Sequence, residues 1–171
     1  YAVSADNSAQ TGSYSITINQ VARKDTITGS MAIPDTSSAV YAAGGTLTIN
    51  GTDITVGATT SLTQLKDLIN DKTSTTKVSA SVIQSGTSDY RLVLKSTETG
   101  KAITLTDSAA GAIKTVLGVT ESGATNDSLS AKIVLDGVPV TKSTNSIKDL
   151  ISGVSIELYE ADVGKPINLS V

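Results

Sequence analysis

Asp67 and Asp71 are the residues best spaced for acid–base chemistry. They lie four positions apart, a spacing that puts two side chains on one face of a helix, and paired carboxylates can serve as general acid and general base. Leu62, Leu65, Leu68 and Ile69 fall on the opposite stripe, so the pattern predicts a solvated helix face for both aspartates. The chain has no His and no Cys, which removes the commonest general base near neutral pH, the thiol nucleophile and the ordinary zinc site. No serine lies in a G-x-S-x-G turn, and Ser61 opens S-x-x-Q rather than S-x-x-K. Gly100-Lys101 falls short of a phosphate loop because no glycine stands at the required earlier position and Ala102 replaces the metal-binding hydroxyl. Asp107-Ser108-Ala109-Ala110-Gly111 lacks the alternating oxygen ligands of a calcium loop. Asn50-Gly51-Thr52, Asn126-Asp127-Ser128 and Asn168-Leu169-Ser170 match the glycosylation acceptor pattern, and the first is explained equally well as a turn. The expectation is a protein that is not an enzyme, with no catalytic, cofactor-binding or metal residue and no cofactor. No motif singles out a binding residue.

The elements that carry these residues are organised around residues 46–71. Leu47 and Ile49 alternate with polar neighbours, and Ile54 and Val56 follow two apart, the period of a half-buried sheet. Asn50-Gly51 between them suits a type I′ turn, which needs positive φ at both central positions. Ser61 is a good helix N-cap, and Gln64 completes a capping box. Residues 135–151 read as a shorter copy. Asp136-Gly137 stands for Asn50-Gly51, and Lys148-Asp149-Leu150-Ile151 repeats Lys66-Asp67-Leu68-Ile69. The repeat predicts a second hairpin and helix, each helix followed by a strand, at residues 78–83 and 154–159.

The fold class expected is mainly β with short helices (α+β), as two β-rich domains. Tyr14, Ile16 and Ile18 alternate in a first strand, with the pattern slipping by one at Val21. Residues 78–82, 90–95 and the stretch from Ile103 read as a three-stranded antiparallel meander. Asp107 or Ser108 is expected to cap a short helix ending at Gly118. Ile167, Leu169 and Val171 close the chain. The polar, Gly- and Ser-rich stretches 1–11, 33–43 and 121–130 read as linkers. An outer domain is therefore expected from residues 12–32 plus 131–171, with residues 44–120 inserted as an inner domain. The opening strand needs partners, which are expected from the C-terminal segment.

Composition narrows the function classes. The chain has 171 residues, net charge −3, 17% charged residues and 3% aromatics, with no Phe or Trp. Its core must be aliphatic. It has no run of Lys or Arg, so no nucleic-acid footprint is expected, and no apolar stretch of the ~18 residues that would span a membrane. It begins at Tyr1 without Met and has no signal-peptide pattern, which suggests an excised fragment. Absence of Cys fits a secreted bacterial protein and excludes no compartment. Exposed strand edges on a charge-poor surface can pair with neighbours.

The stretch TLTINGTDITVGATTSLTQLKDLIND, continued by VSASVIQSGTSDYRLVLKSTETGKAITLTD, resembles the hook IN motif of flagellins and of the flagellar filament-capping family, hook-associated protein 2 (FliD). The opening GSYSITINQVARKDTITGS and the closing LDGVPVTKSTNSIKDLISGVSIELYEADVGKPINLSV are similar to flanking segments of that family. The resemblance covers nearly the whole chain in order, without the family's helical legs. It implies an extracellular structural protein at the distal filament tip, exported by the flagellar apparatus, that promotes flagellin folding and polymerisation. Its partners would be copies of itself in a ring, flagellin, hook-associated junction proteins and, in some members, host mucin. A surface domain of flagellin or of a hook–filament junction protein, and an adhesive glycan-binding module, stay open as alternatives.

Overall fold

A computed structural model describes residues 1–108 and 111–171, with the side chain of Asp149 outside that description. The chain is mainly β with short helices and divides into two compact units. Unit 1 is Tyr1–Lys24, Glu98–Lys101 and Thr125–Val171; unit 2 is Asp25–Thr97 and Ala102–Ala124.

Unit 2 carries the organising stretch. Strands β4 (Gly45–Ile49) and β5 (Thr52–Val56) pair antiparallel, Leu47 opposite Ile54. Asn50 (φ 48) and Gly51 (φ 76) make the turn with both central residues left-handed, as the Asn-Gly pair predicts. Helix α1 (Leu62–Asp71) starts at Ser61, whose Oγ accepts from the Gln64 amide while Gln64 Oε1 accepts from the Ser61 amide. Leu62, Leu65 and Ile69 are fully buried. Leu68, expected on the same stripe, is 38% exposed, because a three-residue stripe already covers the face toward the sheet and Leu68 lies beyond its rim. After α1 comes a further helical turn, α2 (Thr73–Thr76), which ends at Lys77 in the left-handed region.

Strands β6 (Val78–Gly86) and β7 (Asp89–Ser96) form a long hairpin, but the expected meander does not continue. The next strand, β8 (Leu105–Asp107), pairs with β4, and the other neighbour of β7 is β3 (Thr26–Thr28). The sheets are therefore β3-β7-β6 and β5-β4-β8. Two boundary expectations are corrected here. Residues 26–28 belong to unit 2 rather than the outer segment 12–32, because Ile27 is buried in this core opposite Leu94. Residues 33–43 are packed rather than linking. Ile33 bridges Tyr90, Ala39 bridges Ser61, and Ile33 and Val40 are buried. Helix α3 (Ala112–Leu117) is shorter than expected and starts from Gly111. Asp107 still caps it from upstream, accepting from the amides of Gly111 and Lys114; Ala109 and Ala110 lie outside the described residues.

In unit 1, β2 (Ser13–Gln20) lies between β9 (Ala131–Leu135) and β13 (Ile167–Ser170), and β10 (Val138–Lys142) completes the sheet β10-β9-β2-β13. The opening strand thus finds its partners in the C-terminal segment. The slip expected near Val21 appears as a register shift between Ile18 and Gln20. Residues 1–11, expected as a linker, contain β1 (Ala2–Ala5), which pairs with β12 (Val154–Glu157) because that strand otherwise has a free edge. Residues 121–130 contain α4 (Asn126–Leu129), capped by Thr125 and anchored by buried Leu129.

The expected second helix is absent. Lys148-Asp149-Leu150-Ile151 lies in strand β11 (Ser146–Ile151), paired with β12. Asn145, just before this strand, is held by Ala22: its side-chain oxygen accepts from the backbone N–H of Ala22 at 2.6 Å and its side-chain N–H donates to the Ala22 carbonyl at 2.8 Å. Gly153, at φ 71, then turns the chain into β12. That leaves too few residues for a stable helix. Ile147 and Ile151, four apart, are both buried, with a register shift between them.

Truncation separates the two leucines of α1. Leu65→Ala should cost about 2–5 kcal/mol, and Leu68→Ala less than about 1 kcal/mol, in urea unfolding followed by circular dichroism. Equal losses would place Leu68 in the core.

Candidate interaction surface

The residues suggested for chemistry are scattered over separate elements. Asp67 and Asp71 are exposed on the outer face of α1, and Asp67 pairs with Lys66 at 2.9 Å. They rim an open depression of about 340 Å³, with Thr59, Thr60, Gln64 and Leu68. Gly100 is buried, at φ 65, and its amide donates to the Arg23 carbonyl. A side chain at that position would lie 2.6 Å from the Ser143 carbonyl oxygen. The glycine therefore serves close chain packing and offers no N–H to a phosphate. Both oxygens of Asp107 face the start of α3.

The three glycosylation-type asparagines differ. Asn50 is occupied: its Nδ2 donates to the Thr76 carbonyl at 2.8 Å, and its Oδ1 accepts from the Thr104 amide at 2.9 Å. This side chain ties the β4–β5 turn to the end of α2 and to the segment leading into β8. Asn126 is exposed at the start of α4, and Asn168 is exposed on edge strand β13. Among the described residues, no group of three or more His, Cys, Asp or Glu side chains is placed to hold a metal, and no helix is long and apolar enough to cross a membrane.

Two charged loops carry side-chain hydrogen bonds that no motif marks. Asp35 accepts at one oxygen from the Ser37 amide, the Ser37 hydroxyl and the Ser38 amide, at 2.8, 2.9 and 2.6 Å. These bonds, Ser38 first and Ser37 next, hold the carboxyl down at about 2. The Asp-x-Ser-Ser order was the available signal, since short acidic side chains bond the backbone two and three residues on. Asp89 receives Arg91 through two nitrogens, at 2.9 and 3.0 Å, and also the Ser85 hydroxyl at 2.6 Å. Arg91 foremost lowers the Asp89 pKa, and Asp89 raises that of Arg91. Exposed apolar side chains in unit 2 include Met31, Leu68, Ile83 and Val116, and in unit 1 Val138, Tyr159 and Val163. Met31 borders a second depression, of about 360 Å³, with Lys114, Thr115, Gly118 and Val119. What this arrangement presents is surface: scattered apolar side chains on the sheets and helices, with polar side chains bonded to nearby backbone in the loops.

Residues 46–98 match the flagellin hook IN motif, and residues 128–171 match the flagellar hook-associated protein 2 C-terminus. The chain is 30% identical to flagellar hook-associated protein 2 of Escherichia coli O157:H7, over 87% of this chain and 35% of that protein. It is 31% identical to B-type flagellar hook-associated protein 2 of Pseudomonas aeruginosa, over 98% of this chain and 40% of that protein. Its fold matches the crystal structure of the D2-D3 domains of the Escherichia coli flagellar cap protein FliD with TM-score 0.82 and 26% identity, covering 98% of this chain and 92% of that one. The chain belongs to the flagellar hook-associated protein 2 (FliD) family. It spans 35% and 40% of the length of the two relatives.

The Asp35 loop yields a pH dependence. A carboxyl whose folded pKa is depressed supports its loop fully above the unfolded value of about 4 and loses that support as pH falls. Carboxyl-carbon NMR titration should give Asp35 a pKa of about 2, with order in residues 35–38 lost between about pH 4 and pH 2. A Ser37→Ala/Ser38→Ala double variant should move the pKa upward; an unchanged value would mean the hydroxyls play no part.

Proposed function

We propose that this chain is the β-rich plate of a filament-capping protein, acting outside the cell at the distal tip of the bacterial flagellum. In that role it forms part of a ring of identical subunits and guides flagellin subunits as they fold and polymerise. Unit 2 leaves unit 1 in two stretches, Asp25–Thr97 and Ala102–Ala124, with Glu98–Lys101, expected in the inner domain, returning to unit 1 between them; unit 1 holds both Tyr1 and Val171. The function is structural rather than catalytic.

One observation carries this proposal: the hook IN match is followed, in the same chain and in order, by the hook-associated protein 2 C-terminus match. A flagellin surface domain accounts for the first match and leaves the second without a cause. The physical chemistry is consistent with a scaffold. Rigid antiparallel sheets hold exposed side chains at fixed spacing, and a low net charge of −3 favours close packing of like subunits over mutual repulsion. Export as an unfolded chain through the flagellar apparatus suits a sequence without cysteine, since no oxidation step must follow.

The test is complementation. The full-length polypeptide containing these units, expressed in a motile bacterium lacking its own cap, should restore filaments at the cell surface and swimming in soft agar. The same polypeptide lacking unit 2 should be secreted and should restore fewer or shorter filaments. Secretion of the intact polypeptide with flagellin lost to the medium as monomer would overturn the proposal.

A further inference from the structure

Asp25 is 3% exposed, and the functional proposal makes no use of it. Its carboxylate has three donors, all neutral. Oδ1 accepts from the Thr26 amide at 2.9 Å and from the Ser122 hydroxyl at 2.7 Å, and Oδ2 accepts from the Ile103 amide at 2.8 Å. The backbone carbonyl of the same residue accepts from the Ser96 amide at 2.9 Å. Three hydrogen bonds compensate the desolvation of a buried charge without a cation.

The position of these partners in the chain is informative. Unit 2 is made of Asp25–Thr97 and Ala102–Ala124, so it has four chain ends. Thr26 stands beside the first, Ser96 beside the second, Ile103 beside the third, and Ser122 two residues from the fourth. One residue touches all four. Chain ends are where local opening is easiest, since few contacts hold them and fraying gains entropy. Tying four ends to one buried group makes their opening a single event.

We propose that Asp25 is a latch that closes the root of unit 2, coupling its four chain ends so that they open together or not at all. It is a conformational device separate from the aliphatic core, which lies in Leu47, Leu65, Leu92 and their neighbours. An amide in place of the carboxylate keeps the shape and removes one acceptor. At least one buried donor is then unsatisfied, which is the costly outcome for a buried polar group.

Amide hydrogen exchange on the full chain tests the latch. Asp25→Asn should speed exchange at Thr26 and Ile103 by at least about tenfold, while Leu47, Leu65 and Leu92 stay within about twofold of the parent. Ser96 is the deciding probe, because its amide bonds the backbone oxygen of residue 25, which the substitution leaves in place. A latch speeds Ser96 by a similar factor; a merely local loss leaves Ser96 unchanged and overturns the proposal. Equal acceleration of the core amides also overturns it, because Asp25 would then act only on global stability. Ser122→Ala removes one donor and should give a smaller acceleration at the same sites, Ser96 included. If the asparagine variant does not fold, this milder variant decides by the same comparison.

Discussion

Period-two placement of aliphatic side chains is the constraint on which both units depend. The chain has no Phe and no Trp, and Tyr14, Tyr41 and Tyr90 only pack, partly buried, against the two cores. Burial has to be assembled from Ile, Leu and Val, each worth about 1.5–3 kcal/mol when fully buried. Alternation delivers them. Leu47, Ile49, Ile54 and Val56 enter one core, and Ile16, Ile18, Ile133 and Ile156 enter the other. The two clusters share no residue. Each unit is therefore small for its number of strands, and strand edges and chain ends carry a large share of its stability. Polar side chains answer that need. Asn70 brackets the Ala80 backbone, accepting from its amide at 2.7 Å and donating to its carbonyl at 2.9 Å, and so caps the edge of β6 as a neighbouring strand would. Thr76 does the same for Val78. Asn50 and Asn145 join segments far apart in the sequence.

Local signals were legible and non-local ones were not. Both I′ turns, the capping box of α1, the long β6–β7 hairpin and the alternating strands β2, β4, β5 and β12 follow from a few adjacent residues. Pairing partners do not. Nothing in the residues near Ile103 says that β8 joins β4 across more than fifty positions, or that β3 crosses into unit 2. The decision rests on which aliphatic face is left uncovered after the local elements form. The polar stretches at 1–11, 33–43 and 121–130 were misleading for the same reason. Their few apolar residues, among them Ile33, Val40 and Leu129, complete cores built elsewhere.

The tetrapeptide Lys-Asp-Leu-Ile shows the limit most clearly. In residues 66–69 it is helix, and in residues 148–151 it is strand. Intrinsic propensity is identical, so context decides. In the first setting Ser61 and Gln64 satisfy the free amides at the helix start, and Leu62 and Leu65 extend the buried stripe. In the second, Asn145 is drawn to Ala22, and an unfilled edge of β12 offers backbone partners at once. The matched turn folds alike in both places, with Asn50-Gly51 and Asp136-Gly137 left-handed at both central positions, and the matched tetrapeptide does not.

The candidate surface was the least legible part, for a reason that bears on what the protein does. Catalytic and metal sites announce themselves because few residue types can do the chemistry and they must converge. Exposed Met31, Ile83, Val138 and Tyr159 are ordinary apolar residues that no motif marks. Asp35, Asn50, Asp89 and Asp107 each bond loops and turns of their own unit, so these polar groups fix local backbone geometry, and each does so in a different loop.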